Sequence, residues 1–484
     1  MRRFVLLALC VCVPVVALSA TPIIFQHIAS STNPTGNGIA GHAFVFHTER
    51  LPPHATAVMG VTVPHGITVT MRDTLVGAWS APVCKQDAGT GLAATYLFVQ
   101  PLGAAGGTDA ITIGVGSSDT QPVQFDLTIF ENIATSSPAN GSHCPSGGNL
   151  MPNSSGVINP GSFTPTTNND ANGGNVIWNY TPICSTYAAW NASSFKAASG
   201  FNLLNGDVIW TSNQGFPEAS QYYVQTTRAS VTPAITASGE NGGGDCFNSV
   251  SVALKVANQG ATAPATIHVA KIIHESFITL LSPGKKTVLF PTMGNLRVAT
   301  FTWQGGCPSA GAGCLAGLSS SDNCAWKLLG GAGGDSVIAY AQNCLPCPAC
   351  TLTLSLSGTQ VLSQGSFRLY DVEHAKSSSY QNSAGDMGSC DTSVTNAPTI
   401  TPHGAGSGLV IAALGNGNGP VTAIKSPTGA VFDLWTFADQ TDSDLADNAD
   451  ASSHFYFSST AAQNWAYTKA HAGDECYWEA AVFD

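Results

Sequence analysis

The sequence of 484 residues contains few charged residues, since Asp, Glu, Lys and Arg together make up 10% of it, against about 25% in average soluble domains. Basic residues are the scarcer class, with 17 Lys and Arg against 29 Asp and Glu, and the formal net charge is -12. This balance argues against nucleic acid or an anionic membrane surface as a partner, because both attract basic patches. The hydrophobic content of 44% excludes a mainly disordered chain.

Long hydrophobic runs are absent beyond the N-terminus. There, Arg2 and Arg3 precede an apolar run over residues 4–18 and the small residues Ser19 and Ala20. A short basic region, a short apolar region and small residues are typical of a secretory signal peptide, whereas a membrane span needs about 20 apolar residues. The sequence therefore predicts a signal peptide over residues 1–20. The mature protein is expected to be secreted, on the cell surface or in the periplasm, with no membrane span.

The common catalytic motifs are also missing. The sequence has no Gly-x-Ser-x-Gly segment and no phosphate-binding glycine loop ending in Lys, and His274-Glu275 lacks the second His of a zinc-protease motif. We therefore predict no catalytic residues and no enzymatic activity. A secreted polysaccharide hydrolase is the alternative, for which Glu131, Glu373 and Glu479 are the candidate carboxylates.

Four pairs of segments indicate that the chain is a duplication. They are Ile23-Ile24 with Ile272-Ile273, Phe130-Glu131 with Tyr370-Asp371, Phe201-Asn202-Leu203 with Phe432-Asp433-Leu434, and Gly244-Asp245-Cys246-Phe247 with Asp474-Glu475-Cys476-Tyr477. The pairs are colinear, so we expect two halves of similar structure, residues 21–262 and 263–484.

Alternating patterns predict that both halves are built from strands. Residues 351–357 alternate apolar and hydroxyl side chains, and Gly, Pro, Asn and Ser clusters separate such runs. The predicted fold is all-β, with four tandem β-sandwich units of immunoglobulin-like or lectin-like type arranged as a duplicated pair. The expected units are residues 21–135, 136–262, 263–375 (a repeat of the first) and 376–484 (a repeat of the second).

Within the third unit, five segments follow one another in a recognisable order. They are Gly294-Asn-Leu-Arg-Val298, Ser320-Ser-Asp-Asn-Cys-Ala-Trp326, Ile338-Ala-Tyr-Ala341, Leu352-Thr-Leu354 and Leu369-Tyr-Asp-Val-Glu373. Over residues 294–375 this order resembles the secreted tandem β-sandwich repeat proteins of bacteria, although Glu373-His374 departs from their Tyr-Ser-Gly ending. The resemblance implies a scaffold without catalytic activity.

Of the 14 cysteines, Cys10 and Cys12 lie in the predicted signal peptide. The remaining even number indicates a disulfide framework in an exported chain. The duplication predicts Cys144–Cys246 and Cys390–Cys476, with Cys184 as the rival partner in the first pair and Cys84–Cys184 as a further pair. Six more cysteines are expected to form disulfides within the third unit: Cys307, Cys314, Cys324, Cys344, Cys347 and Cys350. The spacing of the last three is also that of a zinc or iron–sulfur site, which is the alternative.

Two clusters are candidate ligand sites. Trp178, Tyr180, Tyr187 and Trp190 lie among Asn and Thr residues, and these aromatic rings could stack on sugars; core packing is the alternative. Asp442, Asp444, Asp447 and Asp450 form an acidic loop that supplies oxygen ligands for calcium, with a solvated loop as the alternative. The sequence predicts no cofactor, with calcium at this loop as the alternative.

These observations predict an exported, non-enzymatic binding or adhesion module whose partner is a polysaccharide or cell-surface glycan. The alternative is a structural subunit of an envelope layer or filament that self-associates through its strand edges.

Overall fold

A computed structural model gives the architecture of the chain. It describes residues 22–32, 43–107, 109–116, 123–148, 150–184, 194–206, 218–238, 246–257, 266–277, 284–304, 315–329, 336–356, 364–389, 395–396, 400–402, 408–416, 421–425, 431–432, 449–457, 466–469 and 475–484. The predicted signal peptide lies outside these residues. The all-β prediction is confirmed: the described residues form 33 strands, one 3-10 turn at Asp170–Asn172 and no α-helix. No helix among them has the length and apolar character needed to cross a membrane.

The largest sheet, the central sheet, has ten strands. In order across the sheet they are β22 (Trp326–Leu329), β23 (Ser336–Gln342), β20 (Leu296–Gln304), β25 (Gln364–Glu373), β18 (His268–Phe277), β1 (Ile23–Thr32), β9 (Val123–Glu131), β3 (Thr56–Pro64), β7 (Ala93–Pro101) and β6 (Cys84–Asp87).

Five smaller sheets surround it. The eight-stranded sheet contains β10 (Ala139–His143), β17 (Val250–Lys255), β12 (Asn175–Pro182), β15 (Glu218–Gln225), β14 (Asn202–Gly206), β19 (Gly284–Leu289), β24 (Thr351–Leu356) and β21 (Leu315–Ser320). The four-stranded sheet contains β2 (Ala43–His47), β8 (Ala110–Gly116), β4 (Thr68–Asp73) and β5 (Gly77–Ala78). The five-stranded sheet contains β26 (Tyr380–Ser389), β33 (Glu475–Phe483), β28 (Gly408–Asn416), β31 (Ala449–Phe457) and β30 (Val431–Phe432). The two three-stranded sheets contain β11 (Val157–Ile158), β16 (Ile235–Ser238) and β13 (Ser194–Lys196), and β27 (Thr395–Asn396), β32 (Ala466–Lys469) and β29 (Val421–Lys425).

The central sheet is covered on both faces. Every residue of β3 and β9 is buried, because alternate side chains point to opposite layers. On one face, Met59 and Leu127 share a core with Phe46 of the four-stranded sheet, and Tyr370 shares it with Ile411 of the five-stranded sheet.

The opposite face lies against the eight-stranded sheet. Val58 and Phe130 share a core with Trp178 there, and Phe367 shares a second core with Leu354. The central sheet therefore lies between two layers, and the sheet of β11, β16 and β13 covers the outer face of the eight-stranded sheet, where Phe195 shares a core with Ala219. Burial of these apolar side chains is the main source of its stability.

The two halves of the central sheet meet where β1 pairs with β18 in parallel, with His27 opposite Lys271. Outward from this pair the order is matched: β9 with β25, β3 with β20, β7 with β23, and β6 with β22. Both inner strands also carry a bulge at the same place, between Ile24 and Gln26 in β1 and between Val269 and Lys271 in β18.

The matching positions of the two bulges change the alignment of β1 with β18 that the sequence suggested. Ile23 lies opposite Glu131, and His268 lies opposite Glu373, so Ile23 is equivalent to His268. Pairing Ile23-Ile24 with Ile272-Ile273 was wrong, because similar apolar residues recur along a strand that is buried on both faces.

The expectation of four tandem β-sandwich units is also wrong. The β1–β18 pair joins residues 21–135 to residues 263–375 in one sheet, and Gly206 of β14 pairs with Leu289 of β19. Sheets are therefore shared across the expected boundaries, because strand edges that would be exposed in separate units pair with each other instead. Nothing in the strand patterns alone shows which edges meet.

The disulfides differ from the predicted pairs. The structure contains Cys84–Cys144 and Cys184–Cys246. The predicted Cys144–Cys246 and Cys84–Cys184 bonds are therefore wrong, and the rival pairing of Cys184 with Cys246 is confirmed. The end of β12 lies beside the start of β17, which brings Cys184 to Cys246, whereas Cys144 follows β10 and meets β6 of the central sheet.

Within residues 263–375 the described disulfides are Cys324–Cys344 and Cys347–Cys350. Cys307, Cys314 and Cys390 lie outside the described residues. The Cys390–Cys476 bond therefore stays a prediction.

A buried ion pair joins the first and last parts of the chain. Glu49, which follows β2, contacts Nε2 of His454 in β31 and accepts a hydrogen bond of 2.8 Å from the Tyr456 hydroxyl. Burial by itself raises the pKa of the Glu49 carboxyl, but the charge and hydrogen bond of His454, with the charge of His268, outweigh it and hold the pKa below its usual range. Glu49 N–H also donates to Gln26 Oε1 in β1.

Gly60 permits close approach between two layers. A methyl group at this position would overlap Cδ1 of Tyr180 in the eight-stranded sheet. We expect Gly60→Ala to lower the free energy of unfolding by about 1–3 kcal/mol, the usual cost of overpacking a core. Gly317→Ala is the matched control, since no atom lies within 4 Å of the corresponding methyl position. Equal urea midpoints for the two variants would contradict this packing.

Replacing Glu49 tests the ion pair. We expect Glu49→Gln to lower the free energy of unfolding at pH 7 by about 3 kcal/mol, since it removes the buried carboxylate that His454 Nε2 and the Tyr456 hydroxyl contact. Because the folded pKa lies below the ordinary value of 4.5, the unfolded state binds protons first on acidification. The stabilisation from Glu49 is therefore present above pH 4.5 and is lost as the pH falls through the folded pKa. Urea titrations of both proteins at pH 7 and at acidic pH measure this, and a difference independent of pH would contradict it.

Candidate functional site

The predicted aromatic platform is not at the surface. Trp178 and Tyr180 are 0% exposed, because β12 faces the central sheet. The Trp178 indole donates a hydrogen bond of 2.9 Å to Thr128 Oγ1 of β9, and the Tyr180 hydroxyl donates to Glu218. Their prediction as sugar-binding residues is wrong. Tyr187 and Trp190 lie outside the described residues.

The proposed calcium loop lies mostly outside the described residues, including Asp442, Asp444 and Asp447. The backbone of Asp450 belongs to β31 and pairs with Gly415. The calcium site stays a prediction.

The carboxylates of the hydrolase alternative are distributed over three strands. Glu131 ends β9 and is buried, whereas Glu373 ends β25 and is half-buried. Glu479 belongs to β33, is buried and accepts a hydrogen bond of 2.8 Å from the Ile338 backbone. Glu131 and Glu479 are thus enclosed by protein rather than presented to a polymer.

A histidine, an aspartate and a serine meet between the layers. Asp126 is within 3.0 Å of His27 Nε2 and accepts a hydrogen bond of 2.6 Å from the Ser220 hydroxyl. The aspartate is central here, whereas nucleophilic catalysis requires the histidine to contact the serine. All three side chains are at most 1% exposed. The cluster therefore joins the central sheet to the eight-stranded sheet by buried hydrogen bonds.

An open cleft of about 730 Å3 lies where the eight-stranded sheet changes from the first half to the second. Its walls come from β11, β13 and β16, from the segment leading into β14, from Leu289 of β19, and from Pro348 and Ala349. Known ligand pockets span about 300–1,000 Å3, so a small ligand or a polymer segment fits this space.

The cleft combines apolar walls with a polar rim. Phe195 and Leu289 are buried at its base, and Phe201 is half-buried with its ring centroid 5.3 Å from that of Tyr223. Lys196 and Asn202 are exposed at the edge. Lys196 is the one ionisable side chain among the described residues that line the cleft.

Lys271 donates hydrogen bonds to backbone carbonyls behind both walls of the cleft. This buried side chain donates a hydrogen bond of 2.7 Å to the Leu204 carbonyl and another to the Pro291 carbonyl. Leu204 adjoins Leu203 on one wall, and Pro291 lies two residues after Leu289 on the other. The Gly206–Leu289 pair continues the same seam.

The environment of Lys271 disfavours its charge. Burial lowers its pKa to about 8, although Asp371 and Asp126 partly oppose the shift. Burial in turn raises the pKa of the Asp371 carboxyl, against the charge of Lys271 and hydrogen bonds from Met293 and Gly294.

Beside the cleft, three potential metal ligands lie close together. One oxygen of Asp322 and the sulfurs of Cys347 and Cys350 are within 4.8 Å of one another. The two sulfurs are bonded to each other, so neither is the thiolate that zinc requires. Asp322 is paired with Arg297 at 2.8 Å and accepts a hydrogen bond from Ser320. Burial raises the pKa of Asp322, but these contacts outweigh it and lower the pKa overall.

Comparison with known proteins adds no relative. No protein-family model matches the chain, and no curated protein matches it either.

The sequence reasoning overlooked the cleft residues. Phe201, Asn202 and Leu203 stood out only as part of a repeat, and Lys271 and Leu289 drew no attention. Their shared location depends on the β14–β19 pair, which joins segments about 80 residues apart and leaves no local pattern in the sequence.

The lowered pKa of Lys271 predicts the direction in which the free energy of unfolding changes with pH. Because the folded value of about 8 lies below the ordinary 10.5, the unfolded state binds more protons between these values, so stability rises with pH there. Lys271→Met lacks this contribution. We expect the free energy of unfolding of the wild type, relative to Lys271→Met, to increase by about 2 kcal/mol between pH 7 and 9.5. Urea titrations at both values measure it, and an unchanged difference would refute the lowered pKa.

Proposed function

We propose that the protein is an extracellular binding module that takes a carbohydrate ligand in the cleft between β13, β14 and Leu289. The observation that carries the proposal is the cleft itself, with the half-buried ring of Phe201 beside the exposed amide of Asn202. Disulfides support a location outside the cytosol, where oxidising conditions preserve them.

The lining chemistry favours a sugar over a charged ligand. A sugar ring has a face of C–H groups that packs on aromatic or aliphatic side chains, and hydroxyls at its edge that bond amides and alcohols. Phe201 and Leu203 supply the first kind of surface, and Asn202 and Thr236 the second. Lys196 is the single cation in the described part of the lining, which therefore does not contain the basic cluster that phosphorylated ligands favour.

The layered scaffold supports a preformed site. Lys271 holds the carbonyls behind both walls, and Tyr223 backs the Phe201 ring. A rigid site reduces the entropy that is lost on binding.

Pull-down with a panel of insoluble polysaccharides and cell-wall material tests the proposal. We expect one polymer to retain the purified oxidised protein, and Phe201→Ala to weaken binding about tenfold, which corresponds to the loss of one aromatic stacking contact. Met151→Ala is the control, because Met151 is an exposed apolar residue that does not line the cleft; its retention should equal that of the wild type.

Three results would refute the proposed site. Binding that survives Phe201→Ala would exclude the cleft. Loss of binding only on calcium removal would favour the loop of Asp442, Asp444, Asp447 and Asp450 instead. Retention by no polymer, together with concentration-dependent growth in particle size, would favour the structural-subunit alternative.

A further inference from the structure

The Cys347–Cys350 disulfide closes a loop too short to stabilise the fold much. Its cysteines are 3 residues apart, against 60 and 62 residues for Cys84–Cys144 and Cys184–Cys246. In the chain-entropy account the stabilisation from a disulfide grows with the length of the closed loop. This bond therefore contributes the least of the described disulfides to stability.

Backbone hydrogen bonds hold the same segment without the disulfide. Thr292 and Cys347 exchange two such bonds, of 2.8 and 2.9 Å, and Phe290 N–H donates to the Cys350 carbonyl at 2.7 Å. Breaking the sulfur–sulfur bond therefore leaves residues 347–350 attached to residues 290–292.

The disulfide closes a turn that borders the cleft, and its two cysteines differ in exposure. Pro348 and Ala349, the two residues between the cysteines, are exposed and line the cleft. Cys347 is half-buried, whereas Cys350 is 1% exposed. Cys347 is therefore the more accessible cysteine of the pair, and Cys350 is shielded.

The carboxylate beside the sulfurs is paired with a buried arginine. Arg297, paired with Asp322, is 1% exposed, and its Nε and Nη1 have no hydrogen-bond partner among the described residues. Nearby arginine stabilises a thiolate. The guanidinium therefore offsets the carboxylate charge of Asp322 when a sulfur becomes anionic.

We propose that Cys347–Cys350 is a thiol–disulfide exchange site that accepts electrons from low-molecular-weight thiols. A thiolate attacks the Cys347 sulfur, a mixed disulfide forms, and the bond to Cys350 breaks. Cys350 leaves as a thiolate and takes a proton from water. A second thiolate attacks the external sulfur of the mixed disulfide and releases Cys347, which is also protonated. The protein gains two electrons and two protons, and two external thiols become one disulfide.

Differential reduction of the folded full chain tests this site. The oxidised protein is treated with dithiothreitol in native buffer, alkylated with N-ethylmaleimide and mapped by mass spectrometry. We expect Cys347 to be alkylated at least tenfold faster than Cys324. The Cys324–Cys344 pair is a matched control, because it also joins a half-buried sulfur to a buried one. Equal rates, or reduction only when circular dichroism shows unfolding, would overturn the proposal.

Two variants identify the attacked sulfur. With glutathione disulfide as the probe, we expect Cys350→Ser to form a mixed disulfide at Cys347, and Cys347→Ser to leave Cys350 unmodified. The urea midpoints of both variants should be close to that of the wild type, because backbone hydrogen bonds hold residues 347–350 in place. Modification of Cys350 at a similar rate, or of neither cysteine in folded protein, would overturn the assignment. Neither result depends on whether the cleft binds carbohydrate.

Discussion

The parallel pairing of β1 with β18 is the contact on which the rest of the structure depends. It joins five strands from each half into the central sheet, and that sheet provides both surfaces on which the outer sheets pack. A parallel pair at the middle relates the halves by rotation about the strand direction, which exchanges the faces of the sheet. The four-stranded sheet of the first half therefore covers one face, and the corresponding strands β19, β24 and β21 cover the other.

Polar groups fix how these layers sit on one another. An apolar interface between sheets resists separation but tolerates sliding, because the hydrophobic effect is not directional. Buried contacts such as Asp126 with Ser220, and Lys271 with the Leu204 carbonyl, are directional and fit one position. Each such group would lose much of its hydrogen bonding if the layers moved by one residue. Burying Lys271 costs desolvation free energy, and its hydrogen bonds to the Leu204 and Pro291 carbonyls hold the two walls of the cleft in one position.

The sequence predicted the local structure better than the assembly of the strands. Alternation such as that of residues 351–357 identified strands, because a strand shows one face to the core, and β24 has this burial pattern. Trp178 and Tyr180 misled because their Asn and Thr neighbours resemble a surface, whereas Asn179 and Thr181 are buried and hydrogen-bonded to Ser249. The disulfides of Cys84 and Cys184 and the cleft around Phe201 depend on contacts between distant strands, which no short pattern encodes.

The central pairing also has a consequence for the order of folding. Strand β1 gains its antiparallel partner β9 about 100 residues later, but its other edge stays open until β18 has been made about 240 residues after it. A chain that emerges from its N-terminus therefore holds a half-built sheet with a ten-residue open edge until about 260 residues have been made. Such an edge can pair with another copy of itself. During folding, the second half of the chain therefore competes with other copies of the protein for the open edge of β1.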